Sequence, residues 1–300
     1  MKRKIVIDTG VNKQLGTGHF QRMANLLNFI VKNTKYTVSL CVEGDRNNIG
    51  DLESYIVDEV PYGADLIIRD RRDSTKEEIR SLRKLGQVLV VDDCGEGRDY
   101  ADFSIDLLPN RDERNRVNRH AFIYGYNFSV FLQQNQHAIY DKNNDVVIYT
   151  GIAPTSSHID YLFSLIPVKY TVHILTGETA IKRYKGSIDT INNFNYVYLL
   201  LSSKLLLCHY GISLYEGHLA QCALMTINPT IYHHILCQLD EKYLSLENCG
   251  VWGNLDIEMI RSKVSNRIDL YNTGNVSVAN MYAEVENKLQ NFHTALENIM

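Results

Sequence analysis

Ile5-Val6-Ile7-Asp8, then Gly16-Thr17-Gly18-His19 with Arg22, then Leu26, Leu27, Ile30 and Val31 form the stretch on which the fold turns. The short apolar run reads as a buried strand and the later apolar spacing as a helix. The glycines between them read as a loop. Strand, glycine loop and helix start in that order build an anion pocket. Glycine lets the backbone approach a ligand closely, and the N–H groups of a first helical turn attract negative charge. His19 adds an imidazole, the side chain that ordinarily titrates closest to neutral pH. This loop is expected to hold a phosphorylated group and to move a proton. It carries neither the dinucleotide pattern G-x-G-x-x-G nor a following G-K-[ST].

The alternation continues outward. Strands are expected at 4–8, 37–42, 65–69, 88–92 and 103–107, with helices at 20–32 and 75–85. Ser74 suits the N-cap of the second helix and Gly86 its C′ position. Residues 133–144 turn polar and read as a linker. Beyond it, strands are expected at 146–149, 170–175, 196–201, 204–208 and 224–227. Helices are expected at 157–165, 214–222, 230–239 and 256–268. The pattern predicts an α/β chain of two Rossmann-like domains, 1–140 and 145–300, with parallel sheets facing across a cleft. A last helix over 278–299 is placed to pack back on the first domain. In such sheets ligands sit beyond the carboxyl ends of the strands, so the loops after strands carry the chemistry.

Composition agrees with that frame. A chain of 300 residues exceeds one ordinary core and favours two domains. With 45% hydrophobic and 22% charged residues it reads as soluble and globular. A net charge of -4 argues against a broad nucleic-acid or anionic-lipid surface. No apolar run is long enough to span a bilayer. The basic start, Met1-Lys2-Arg3-Lys4, is followed by only three apolar residues before Asp8, unlike a secretory signal. Cys41, Cys94, Cys208, Cys222, Cys237 and Cys249 are scattered and suggest neither a disulfide framework nor zinc. The expected compartment is the cytoplasm. Composition leaves the oligomeric state open.

Other loops add candidates. Asp92-Asp93-Cys94-Gly95 ends a strand and suits either a sugar hydroxyl or an Asx-turn. Asp70-Arg71-Arg72-Asp73 reads as surface ion pairing rather than a phosphate clamp. Gly151 opens a loop whose N–H groups and hydroxyls suit phosphate. Gly211, Ser213 and Glu216 repeat the strand, glycine, hydroxyl, helix order. Ser213 and Glu216 also fit a capping box. His233-His234 are adjacent on a helix and point apart, which disfavours joint metal ligation.

Taken in order, G-x-G-H-x-x-R, Val90-Val91-Asp92-Asp93 and Gly211-x-Ser213-x-x-Glu216 resemble one group. The chain is similar to the UDP-sugar hydrolase of the pseudaminic acid pathway and to spore-coat-polysaccharide glycosyltransferase-like proteins. Both belong to the GT-B superfamily. The resemblance implies twin Rossmann-like domains with the nucleotide held mainly by the second. It implies an enzyme cleaving the sugar–diphosphate linkage by hydrolysis or glycosyl transfer, in surface-polysaccharide or nonulosonic-acid synthesis. The implied substrate is a nucleotide-sugar of UDP or CMP type. His19 would be catalytic, Gly16 and Gly18 would shape the pocket, and Gly151, Gly211, Ser213 and Glu216 would contact the nucleotide. Asp8, Arg22, Asp92 and Asp93 would contact sugar or acceptor. No metal or cofactor is implied, and no D-x-D occurs in the chain. The rival expectation is a non-catalytic GT-B-like binding or assembly subunit.

Overall fold

In β1 (Lys4–Val11) every residue from Ile5 to Gly10 is buried, the mark of a strand covered on both faces. The computed structural model to which β1 belongs describes residues 2–11, 18–44, 50–71, 73–105, 141–150, 155–176, 179–192, 195–241, 244–253, 255–273, 294 and 296–299. The chain forms two units, one of residues 1–132 with 283–300 and one of residues 133–282.

In the first unit β1 lies between β2 (Thr37–Gly44) and β4 (Leu66–Asp70). With β3 (Ile56–Val57), β5 (Gln87–Val91) and β6 (Phe103–Ile105) the order is β3-β2-β1-β4-β5-β6, and every neighbouring pair is parallel. Asp8 sits in register with Cys41 on one side and Arg69 on the other. Alternate residues face two cores. Ile5, Ile7, Leu40 and Ile68 pack with Met23, Leu26, Leu27 and Ile30 of helix α1 (Gly18–Asn33), and Leu296 joins them. Val6, Ile67, Val88 and Val90 pack with Ile79 of α2 (Lys76–Leu82). The chain leaves β1 toward β2 and returns to its other side at β4. The topological switch point therefore lies at the carboxyl ends of β1 and β4.

The ends of α2 differ from expectation. Its N-cap is Thr75, in a capping box with Glu78. Ser74 is turned inward, where its hydroxyl accepts from Arg69 Nε at 2.8 Å. The C-cap is Arg83 rather than a residue next to Gly86. Gly86 answers a different need, since a Cβ there would lie 2.2 Å from the Ala64 carbonyl oxygen.

The second unit holds β7 (Asn144–Tyr149), β8 (Val172–Leu175), β9 (Thr179–Tyr184), β10 (Ser187–Asn192), β11 (Ser203–Cys208), β12 (Ala223–Asn228) and β13 (Leu246–Val251). Their order is β10-β9-β8-β7-β11-β12-β13. Pairing is parallel from β8 through to β13 and antiparallel for β8-β9-β10. Helices α3 (Ser156–Ser164), α4 (Tyr196–Leu201), α5 (Ile212–Leu219), α6 (Ile231–Asp240) and α7 (Ile257–Asn272) complete it. Its switch point lies at the carboxyl ends of β7 and β11.

Residues 196–201, expected as a strand, are the helix α4. Asn195 caps it, its side-chain oxygen accepting from the Tyr198 N–H at 3.0 Å. A six-residue apolar run is ambiguous by periodicity, and here the cap and the tertiary packing of Leu199, Leu200 and Leu201 decide. The β9–β10 hairpin and β13 lay outside the expected elements. Lys185 and Gly186, at φ 47° and 86°, form the two-residue loop that matches the twist of a hairpin. Of the expected linker at 133–144, residues 133–140 lie outside the described residues and Asn144 already belongs to β7; most of the expected terminal helix also lies outside them, while 294 and 296–299 are helical. Cys94 is exposed and the other five cysteines are buried, and none forms a disulfide among the described residues. No described helix is long and apolar enough to cross a membrane.

Candidate functional site

The switch point of the first unit carries a buried charge cluster. Asp70 ends β4 with no exposed side-chain area, and its carboxylate meets two residues of α1. His19 Nδ1 lies 2.7 Å from Asp70 Oδ1. Arg22 donates Nη2 to Asp70 Oδ1 at 2.6 Å and Nε to Asp70 Oδ2. Its third nitrogen, Nη1, donates to Asp92 Oδ2 at 2.5 Å. One turn of helix separates His19 from Arg22, which places both on the same face of α1. The Thr9 hydroxyl donates to the Asp70 carbonyl at 3.1 Å and ties that corner to β1.

Electrostatics assigns the protons. Burial opposes the charge on Asp70, but Arg22 and His19 outweigh it and hold the carboxyl below the usual aspartate range. Burial also opposes the charge on Arg22, and Asp70 and Asp92 outweigh it, so the guanidinium stays charged. An ionised Asp70 only accepts hydrogen bonds. His19 Nδ1 therefore donates to it, which leaves Nε2 as the ring nitrogen available to exchange a proton. His19 keeps 19% of its side-chain surface exposed. A carboxylate-oriented imidazole that keeps part of its surface exposed is an arrangement for taking a proton from a hydroxyl.

Of the residues singled out in sequence, the fold gathers His19, Arg22 and Asp92. Asp92 holds its place in a left-handed conformation, φ 48°, at the turn after β5. Asp8 and Asp93 are engaged elsewhere. Arg69 and Asp70 are neighbours in β4, so their side chains leave opposite faces of the sheet. Asp8 goes with Arg69 Nη1 at 2.6 Å and with Arg71. Asp93 Oδ1 accepts from the N–H of Ser74 at 3.0 Å and of Gly95 at 2.8 Å, the Asx-turn alternative. Gly18 is the first residue of α1, while Gly16 lies outside the described residues. Sequence reasoning placed the 70–73 charges at the surface and missed Asp70 as the partner of His19. Its position at the end of a buried strand, adjacent in the sheet to β1, was the available signal.

The switch point of the second unit opens into a cavity of about 320 Å³. Ile148, Leu162, Leu207 and Ile227 form its floor, and Thr150, His158, His209 and Trp252 are among the residues around it. Among the described residues that line it, none is Asp, Glu, Lys or Arg. The ring of Trp252 stands 5.6 Å from Tyr161 and 6.3 Å from His158. Burial pushes His209 down, against the contact of its Nδ1 with the Tyr210 carbonyl.

The predicted cap on α5 is corrected. The N-cap is Gly211, Ser213 lies within the helix, and no side chain caps its first turn. Glu216 faces the interior at 6% exposure and accepts from the Tyr196 hydroxyl at 2.5 Å. Burial lifts its carboxyl to about 7 despite that bond. Gly151 lies outside the described residues. His233 and His234 turn to different partners, Thr230 and Asn248.

No family model matches the chain, and no match was found among curated proteins. Solved structures do match. The chain is similar to the glycotransferase of kitacinnamycin, with a TM-score of 0.68 and 8% identity over 100% of this chain and 99% of that one. It is similar to a putative UDP-N-acetylglucosamine 2-epimerase from Listeria monocytogenes, at 0.56 and 10% over 90% and 88%. It is also similar to an alpha-glucosyltransferase solved with UDP and a 13-mer DNA, at 0.51 and 10% over 99% of both chains. At these identities the likeness is one of fold, and the fold is GT-B: α/β with two Rossmann-like units.

Proposed function

We propose that the chain acts on a nucleotide-activated sugar, breaking the sugar–diphosphate linkage by glycosyl transfer or by hydrolysis. The observation that carries this reading is the His19–Asp70 pair at the switch point of the first sheet. His19 Nε2 takes the proton of an acceptor hydroxyl or of water. That oxygen bonds to the anomeric carbon as the bond from that carbon to the phosphate oxygen breaks, and the nucleotide leaves with the electron pair. Asp70 keeps the ring in the reactive tautomer and stabilises the imidazolium that results.

In this reading the second unit holds the nucleotide. A cavity whose described lining holds no carboxylate, ammonium or guanidinium and carries the ring of Trp252 suits a planar base. The N–H groups at the start of α5, at Gly211 and Ser213, suit phosphate oxygens. The similarity to a putative UDP-N-acetylglucosamine 2-epimerase and to an alpha-glucosyltransferase solved with UDP favours a UDP-sugar over a CMP-sugar. The surface-polysaccharide or nonulosonic-acid setting rests on the sequence resemblance alone.

The test is release of free nucleotide from UDP-sugars. His19→Ala is expected to lower turnover by about 100-fold or more, the usual weight of a general base, with UDP affinity nearly unchanged. Undiminished turnover removes His19 from the mechanism. The rival, a non-catalytic binding or assembly subunit, draws on the Glu216 carboxyl being occupied by Tyr196. It predicts no turnover with any nucleotide-sugar.

A further inference from the structure

The carboxyl ends of β11, β12 and β13 are joined by a network of side-chain amides that the proposed chemistry does not use. At its centre is Asn228, the last residue of β12, which is 0% exposed. Its Oδ1 accepts from the Tyr210 N–H at 2.9 Å. Its Nδ2 donates at 3.2 Å to Oδ1 of Asn248 in β13. The same Asn248 oxygen accepts from the Gly250 N–H at 3.2 Å and from His234 Nδ1 at 3.0 Å. The Asn228 carbonyl accepts from the Trp252 N–H at 3.0 Å. A backbone N–H only donates, so the tie to Tyr210 fixes which way the Asn228 amide points, and the tie to Gly250 fixes Asn248.

Each end of this network meets one part of the candidate nucleotide site. Tyr210 immediately precedes Gly211, where the proposed phosphate grip of α5 begins. No side chain caps that helix, and the loop before it is fastened through Tyr210 instead. Trp252, two residues beyond Gly250, stands in the wall of the cavity of about 320 Å³, and so do Ile227 and Pro229 on either side of Asn228. Asn228 presents no surface to a ligand, so it acts only through the loop and the wall it holds. Moving one against the other would strand buried amide atoms, which ties the two together.

We infer that Asn228 is a positioning residue that couples the phosphate grip at Gly211 to the base cavity at Trp252, through its amide pair with Asn248. This rests on the nucleotide reading above and goes beyond it. Each half of the ligand tightens the hold on the other half, by the same factor in both directions.

The experiment uses the full chain, with uridine as the base probe, inorganic pyrophosphate as the phosphate probe and UDP as the joined ligand. Calorimetry gives the affinities. Trp252 is the only tryptophan in the chain, so its emission reports the cavity wall directly. In the wild type, saturating pyrophosphate is expected to tighten uridine by about fivefold, and uridine to tighten pyrophosphate equally. Asn228→Asp keeps an acceptor for Tyr210 but sets a carboxylate against Asn248 Oδ1. It should weaken UDP by about tenfold, abolish the coupling of the halves and shift the Trp252 emission of the free protein. Asn248→Ala should do the same. Asn248→Asp keeps an acceptor for Asn228, Gly250 and His234, and should restore UDP affinity and emission to near the wild type. A merely structural role would lower the melting temperature and leave uridine and pyrophosphate coupled. Independent binding of the two halves to the wild type overturns the coupling, and that measurement needs no variant to fold. UDP binding by Asn228→Asp at the wild-type level overturns it too. If UDP-sugars turn over while the halves bind independently, the coupling fails and the nucleotide reading stands. If neither UDP nor either half binds, the nucleotide reading fails and the ligand-free emission decides the role of the amide pair. A shift in Asn228→Asp and Asn248→Ala but not in Asn248→Asp upholds it, and unchanged emission ends it.

Discussion

Asp70 gathers three roles of the first unit in one carboxylate. It orients His19, neutralises Arg22 and anchors the end of β4. Asp70→Asn is expected to lower turnover by about 100-fold or more, because the amide cannot hold the Nδ1–H tautomer as a carboxylate does. It also leaves Arg22 with Asp92 alone, so a loss of the order of 3 kcal/mol in stability accompanies it, read by denaturant unfolding. Glu216 supplies a different prediction. Burial raises its carboxyl to about 7, whereas an unfolded glutamate titrates near 4.3. The folded chain thus binds that proton more tightly. Its contribution to stability is complete below about pH 4 and fades as pH rises through 7. Glu216→Gln does not titrate. Its melting temperature should gain on the wild type between pH 5 and pH 8, by an amount worth up to about 3 kcal/mol. A difference that stays flat with pH would show that the carboxyl is not held protonated.

Helices in this chain are placed by what their ends and small residues meet. In α2 the Thr75–Glu78 box satisfies the first turn, and Thr75→Ala should cost about 1 kcal/mol. In α5 the determinant is a close approach. A Cβ on Gly217 would lie 2.3 Å from Leu206 Cδ2 of β11, so Gly217→Ala should destabilise the second unit by about 1–3 kcal/mol, despite alanine's better helix propensity. Thermal unfolding of the two variants checks both figures. Sequence patterning found α1, α2 and the parallel strands other than β3 and β13, because their apolar runs and flanking breakers are local. It misread 196–201, where six apolar residues satisfy strand and helix alike. It also missed the hairpin, whose two-residue Lys185-Gly186 loop is a weaker signal than Asn-Gly or Asp-Gly.

Each unit of the molecule has its own core, and ligand or mutation effects should be read unit by unit. Leu296 lies 240 residues or more from most of its neighbours in the first core and is 1% exposed, so Leu296→Ala should cost about 2–5 kcal/mol in that unit. UDP, CMP and GDP should separate in a thermal-shift series, since a ligand bound to the native state alone raises its stability. A shift with UDP alone supports the proposed substrate, and no shift with any of them supports the non-catalytic rival. Most of the alternating strands and helices, and the position of His19 at the head of α1, were legible in the residues themselves. Apolar period, chain-reversing residues and imidazole chemistry are properties of short windows. Which charges meet was not legible. Asp70 lies 51 residues from His19, and Arg22 lies 70 from Asp92. Their pairing follows from β4 returning beside β1 and from the pleat sending Arg69 and Asp70 to opposite faces. A run such as Asp70-Arg71-Arg72-Asp73 looks the same at a surface or in a site, and strand adjacency tells them apart by removing water from one and not the other.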